Sequence, residues 1–294
     1  MNSNKQLQMN QRTVAQIWLT VIYFFLILFS VITLIPFVWM FSAALKDNVD
    51  FFSSLFLPTG DGFLGIAWDR LTLKHFHKLF TEKGIGQAVL NSVFLASSTS
   101  VLATICSAMG GYALSKYKFT GRAFITTMVL SALIIPGPLL LAPGYQLLYN
   151  LGLLNSYAGL ILPHLAPAFG VFLFRQTMLN SVPNESLESA RMDGAGEIRI
   201  FFTMVIPIIR PMIGAYLIIT FLASWNNFIA PQIVLQSPEK FPLAVAINNL
   251  KGVYAEDYGM LMAGTVVSVA PMLILFLLMQ KEFIAGLTSG AVKG

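Results

Sequence analysis

Seven ionisable residues crowd into one stretch of a chain otherwise poor in charge. Glu185, Glu188, Arg191, Asp193, Glu197, Arg199 and Arg210 all fall between Pro183 and Pro211, in PNESLESARMDGAGEIRIFFTMVIPIIRP. Carboxylates and guanidinium groups mixed in this way offer ion pairs and a surface to grip, not a reaction centre. Glu188 and Arg191, three apart, are placed to pair on one helix face, which is worth about 0.2–0.5 kcal/mol. The other chemistry-bearing residues are scattered. His75 and His77 sit two apart in a mixed loop and read as surface residues. His164 lies inside an apolar run and reads as a satisfied packing residue, and Cys106 is the single cysteine. One cysteine closes no intrachain disulfide and builds no metal cluster. No Gly-Lys-Ser or Gly-Lys-Thr occurs, so the chain has no P-loop with which to cradle phosphates. No Ser/His/Asp set or metal-ligand spacing suggests an enzyme or a metal site.

The elements around that stretch read as membrane. The 294 residues are 56% hydrophobic and 11% charged, where soluble domains carry about 25% charged residues. The net charge of +5 comes without any basic block of the kind that marks a nucleic-acid tail, and positive loops on the cytoplasmic face account for it. A spanning helix needs about 20 mostly apolar residues, and six candidates meet that length. They are Ile17–Leu45, Val89–Leu114, Ala123–Ala142, Tyr157–Leu179, Met212–Leu235 and Gly259–Met279. The first apolar run exceeds the core of a cleaved signal, which is about 7–15 residues, and reads as a retained span. Pro136, Gly137 and Pro138 break the third, Pro163 and Pro167 punctuate the fourth, and Ser224 to Asn227 interrupt the fifth. Ala103, Ser107 and Gly111 repeat every four residues in the second and give it a small-residue face for close helix approach.

Lys116, Lys118 and Arg122 mark the short turn after the second span, against no basic residue in the connector 143–156. Short loops rich in Lys and Arg stay inside, so both termini are expected in the cytoplasm and Pro183–Pro211 with them. The predicted organisation is an N-terminal segment 1–16, a six-span all-α transmembrane domain 17–285 with a water-facing loop at 181–211, and a tail 286–294. Pro183 suits a helix start, Glu185 and Glu188 suit its positive end, and Gly194 is placed to end the helix in a left-handed turn. A short helix tied at both ends to spans four and five would move both when pushed. An ordinary interfacial amphipathic helix has the same composition.

A longer pattern overlies these residues. Glu188-Ser189-Ala190, three residues, Gly194, nine residues, Met204, one residue, Ile206-Pro207 resembles the loop signature of the membrane subunits of ABC importers. That signature runs Glu-Ala-Ala, three residues, Gly, nine residues, Ile, one residue, Leu-Pro. Asp193-Gly194-Ala195 matches its core, and Ser189, Met204 and Ile206 are mild departures. Gly196 stands where relatives carry a Ser or Thr cap, which should loosen the helix that follows. Asn91-Ser92, Trp225-Asn226 and the tail GLTSGAVKG add to a likeness with the carbohydrate branch, similar to the second permease subunit of the maltose importer.

The resemblance implies the type I ABC importer permease fold, in the cytoplasmic (inner) membrane. Glu188, Ser189, Ala190, Met192, Asp193, Gly194 and Ala195 would form a coupling helix in a cleft of a nucleotide-binding partner. It implies two such ATPase subunits holding ATP and magnesium, a second permease subunit and an external sugar-binding protein, with no cofactor in this chain. Gly290, Ala291, Val292, Lys293 and Gly294 would reach the ATPase interface. Asn249, Leu250, Lys251, Gly252, Val253 and Tyr254 stand where the family's probing loop meets the binding protein, though an ordinary exposed turn fits them too. Trp225, Asn226 and Asn227 face either the substrate pathway or a neighbouring helix as hydrogen-bond glue. A permease for a non-sugar solute and an ion-coupled secondary transporter are the alternatives. The latter should place Asp or Glu inside its spans, and these six contain none. Neutral and acidic sugars both remain open.

Overall fold

The computed structural model describes residues 2–251 and 257–291, and side chains within 14–251 and 257–281. Among the described residues the regular elements are all helices, with two isolated β-bridges, Lys46 to Leu71 and Thr59 to Ile66, in the loop after the first. In chain order the helices are α1 (Asn2–Leu45), α2 (Lys74–Thr81), α3 (Ile85–Lys116), α4 (Arg122–Ala132), α5 (Leu141–Asn150), α6 (Tyr157–Ile161) and α7 (Ala168–Ser181). Then follow α8 (Asn184–Met192), α9 (Glu197–Ile200), α10 (Ile206–Ile208), α11 (Arg210–Trp225), α12 (Ile229–Val234), α13 (Leu243–Asn248) and α14 (Tyr258–Ala291). Two compact units are formed, residues 1–82 with 251–266 and residues 83–250 with 267–294.

Four described helical stretches are long and apolar enough to cross a membrane, and six if each of two bent pairs counts as one. The Pro-broken third span is one such pair, with Arg122–Ala132 and Gly137–Asn150 meeting at 102°. Pro136 and Pro138 lack the N–H that would carry the helical ladder across this point. The fifth span differs from its predicted limits. It is helical over Arg210–Trp225, stops at Asn226, and only the separate short α12 follows. Asn227 causes the restart, its side-chain Oδ1 accepting the Ala230 N–H at 3.3 Å. Glu197–Ile208 meets Arg210–Trp225 at 84°, between Pro207 and Pro211. The terminal helices are longer than the apolar runs. α1 begins at Asn2, and α14 continues through the predicted tail to Ala291. At 34 residues, α14 is about 51 Å long, more than the hydrocarbon thickness of about 30 Å.

In the 83–250 unit α3 packs chiefly on α7 and α11. The small-residue face makes this possible. Ala103 and Ser107 are fully buried, and a Cβ at Gly111 would lie 2.7 Å from both the Arg175 nitrogen and the Phe174 Cβ. Gly170 answers from α7, where a Cβ would fall 2.1 Å from the Tyr216 hydroxyl. Asn91 and Ser92 staple a distant loop to α3. The Asn91 amide donates to the Glu239 and Phe241 carbonyls at 2.8 and 3.1 Å, and Ser92 Oγ accepts the Leu243 N–H at 2.7 Å.

In the other unit one expectation is corrected. His75 is buried, at 2% exposure, and not on the surface. α2 is amphipathic, and the four-residue spacing of His75 and Leu79 turns both inward while His77 stays exposed. The His75 ring has Nε2 3.0 Å from the Lys46 carbonyl and Nδ1 3.4 Å from Asp257.

Candidate functional site

The charged stretch folds as a helix, a tight turn and a second helix. α8 buries one residue completely, Leu187, whose transfer from water contributes about 2 kcal/mol. Ala190 and Ala195 pack beside it against the core of Phe174, Met178, Ile200 and Val205. Glu188, Ser189, Met192, Asp193 and Gly194 are exposed, Met192 to 88%. The expected left-handed turn is present. Gly194 has φ +78°, its N–H reaches the Arg191 carbonyl at 3.0 Å, and the Ala195 N–H closes on the Ala190 carbonyl at 3.0 Å. A side chain at Gly194 would meet open space, so the backbone angle, not crowding, selects glycine there. Gly196 precedes α9 and offers it no side-chain cap, as its sequence implied.

The ion pair is not the local one. Arg191 bonds Glu197 instead of Glu188, with Nε donating to Oε1 at 2.6 Å and Nη2 to Oε2 at 3.3 Å. The Gly194 turn folds α9 back on α8, and the planar guanidinium fork then meets a carboxylate edge-on. Two hydroxyls from the end of α3 and the residue after it complete the site. Tyr117 donates to Glu197 Oε2 at 2.7 Å and Tyr112 at 3.0 Å. The Arg191 guanidinium also lies 5.9 Å from the centre of the Tyr117 ring, within cation–π range. Lys116 joins α3 to the start of α8, its Nζ donating to the Val182 carbonyl at 2.6 Å and to Asn184 Oδ1 at 3.0 Å.

The Arg191 hydrogen bond holds the Glu197 carboxyl down at about 2, against its partial burial, and the two tyrosine hydroxyls reinforce it. Burial, and then the carboxylate it bonds, pushes the Tyr117 hydroxyl above its ordinary value. The bond to Glu197 raises Arg191 further. Glu197 therefore stays an anion with three donors around it. Arg191 and Glu197 remain 34% and 39% exposed, so solvent screens the pair and its net contribution to stability is small. Its value lies in geometry, since one carboxylate ties α8, α9 and α3 together. The contacts of Tyr112, Lys116 and Tyr117 were not legible beforehand, because nothing in a single sequence links positions 66 to 85 apart.

The other expected residues separate. Trp225 is packed inward at 3% exposure, its indole N–H donating to the Ser268 carbonyl at 3.2 Å and its ring stacked on Phe221. Its indole N–H is thus spent on a neighbouring helix. Asn226 is exposed and donates back to the Leu222 carbonyl at 3.0 Å. Asn227 borders a cavity. Asn249 and Lys251 are exposed and Leu250 is half-buried after α13. Gly252, Val253 and Tyr254 lie outside the described residues, as do Val292, Lys293 and Gly294. Gly290 and Ala291 end the helical backbone of α14.

Comparison with known proteins bears on the same residues. The arabinooligosaccharides transport system permease protein of Halalkalibacterium halodurans is 42% identical over 225 residues, 76% of this chain and 80% of that protein. The diacetylchitobiose uptake system permease protein of Streptomyces coelicolor is 33% identical over 273 residues, 91% and 87% of the two chains. Among solved structures, a chain of a bacterial ABC transporter involved in the import of the acidic polysaccharide alginate superposes with a TM-score of 0.78 at 20% identity. The match covers 91% of this chain and 97% of that one, and it shows a common fold. The family described as "binding-protein-dependent transport system inner membrane component" matches residues 8–281, a span that takes in every membrane helix and the whole Arg191–Glu197 site. This chain belongs to that family.

Proposed function

We propose that the chain is one half of the translocation pathway of an ATP-driven sugar importer, and that α8 is the part through which it is driven. One observation carries the reading. α8 presents Glu188, Ser189, Met192 and Asp193 outward, while its inner face is fixed to the end of α3 through Leu187, Arg191 and Glu197. A protein that grips the exposed face moves a membrane helix with it. The oligosaccharides named for the two sequence relatives support a sugar as the cargo.

In this reading two nucleotide-binding subunits bind ATP and magnesium, and a second permease chain completes the pathway. An external sugar-binding protein delivers the cargo near Asn249 to Tyr254. Segments 1–16 and 286–294 and the loop 181–211 face the cytoplasm, where Gly290 to Gly294 approach the ATPase pair.

Gly194→Asp tests this. The substitution puts a charged side chain at φ +78°, an angle that L-residues adopt at a cost of about 1–2 kcal/mol, on the surface the partner must grip. Uptake of labelled sugar should be lost while the protein still inserts and the ATPase still binds ATP. Normal uptake, or a photo-cross-linker at Met192 that never captures an ATPase subunit, would refute the proposal.

A further inference from the structure

Within the 83–250 unit a cavity of about 380 Å³ opens between α3, α7, α11 and α12, inside the size range of small-ligand sites. Its walls are apolar, with Leu95, Leu160, Phe169 and Pro231 among them. Polar side chains interrupt them, among them Thr99, His164, Ser224 and Asn227. Each of these four keeps part of its hydrogen-bonding capacity unspent. The His164 Nδ1 lies 3.0 Å from the Leu160 carbonyl. A carbonyl only accepts, so in the neutral ring the proton sits on Nδ1 and Nε2 keeps its lone pair. Asn227 uses its Oδ1 on the Ala230 N–H, which leaves the NH₂ to donate. Among the described residues no partner is bonded to the Thr99 or Ser224 hydroxyl, the Asn227 NH₂ or the His164 Nε2. None of the described residues lining the cavity is charged.

We infer that this cavity is a subsite for a neutral oligosaccharide, held by this chain itself during transport. The inference rests on the sugar-import reading above and narrows it. Two hydroxyls, an amide donor and an imidazole acceptor match the mixed donor–acceptor edge of a sugar, and Phe169 with the aliphatic walls suits its C–H faces. A uronate would bring a carboxylate into an apolar cavity whose described lining from this chain holds no cation to meet it, and an unpaired buried charge is strongly disfavoured. The absence of charge thus selects the neutral class. It also permits release, because a few neutral hydrogen bonds hold the cargo only loosely.

The test uses the whole transporter in proteoliposomes, with its ATPase, second permease chain and binding protein. The probes are labelled arabinotriose, maltotriose and trigalacturonate. Wild type should move at least one neutral trimer and leave trigalacturonate behind. Asn227→Leu and His164→Leu should each lower neutral sugar moved per ATP hydrolysed by about five-fold, the loss of one hydrogen bond of about 1 kcal/mol. His164→Gln, which keeps an acceptor, should recover most of it. Trigalacturonate moved as fast as the neutral trimers would overturn the neutral assignment. Leucine variants with wild-type transport per ATP would overturn the subsite while leaving the sugar-import reading intact. Leucine variants that no longer co-purify with the second permease chain would show that the cavity houses that subunit's side chains, which also overturns it. No uptake of any trimer by wild type would sink the import reading itself, and the subsite with it.

Discussion

Lys46 and Asp50, between α1 and α2, are sealed in, whereas the charged pair joining α8 to α9 is left half open. Lys46 is fully buried and donates to the Ser54 carbonyl at 2.7 Å, and Asp50, at 3% exposure, holds Arg70, whose own side chain reaches solvent. His75 fills the gap between Lys46 and Asp257, so tightly that a Cβ at Gly259 would fall 2.3 Å from its ring. Burial lowers the Lys46 pKa, and nearby Asp50 opposes it. In the Arg191–Glu197 pair neither partner is buried, and both keep a third or more of their side chains in solvent. A sealed cluster loses heavily when one member is removed, because the remaining charge has no water to turn to. A half-open one loses little, because water replaces the missing partner. The first is suited to fixing a fold and the second to a joint that takes load without being the source of stability.

The strongest way to break this comparison is Asp50→Leu. It leaves buried Lys46 with no carboxylate beside it and should cost about 3–5 kcal/mol, the usual penalty for stripping one partner from a buried charge group. Thermal unfolding of the purified chain should show the loss, together with poor yield from the membrane. A near-native melting curve would mean that the cluster is less sealed than its burial implies.

Glu197→Gln probes the other side. The amide still accepts from a tyrosine, and water reaches Arg191, so stability should fall by less than about 1 kcal/mol. Sugar uptake should nonetheless drop by about five-fold or more, the range of a coupling energy of 1–3 kcal/mol. Equal losses of stability and transport would erase the distinction between fixing and load-bearing roles.

The finest test is pH. Glu197 is held at about 2 in the folded chain, below its ordinary value of about 4.3. A depressed carboxyl stabilises fully above the unfolded value and loses that contribution as pH falls through the folded one. The melting-temperature difference between wild type and Glu197→Gln should be flat above pH ~5 and shrink between pH ~4.3 and ~2. A difference that persists unchanged to pH ~2 would show that the carboxylate gains nothing from Arg191.

Local chemistry was legible where it acts on its own neighbours. The Gly194 turn follows from a backbone angle that glycine alone adopts freely. The bend at Pro136 to Pro138 follows from missing N–H groups, and the close seam on α3 from Ala103, Ser107 and Gly111. The fifth span was harder. Its apolar run continues past Asn226, and only the Asn227 side chain bonding Ala230 shows where one helix ends and the next begins. His75 was misplaced because a histidine in a basic, aromatic loop resembles a surface residue until its pocket is seen. That the Trp225 indole bonds the Ser268 carbonyl was likewise not legible, because the two lie on separate helices.

Hydropathy, glycine and proline act within a turn or two of the chain, so the sequence by itself determined a membrane protein of helices with a charged loop at 181–211 and a turn at Gly194. Which carboxylate Arg191 takes, that Tyr112 and Tyr117 donate to it, and which uncharged groups border the cavity were decided only by tertiary structure. Each of those contacts joins residues brought together by helix packing, and packing depends on the shapes of whole faces, not on spacing along one strand of letters.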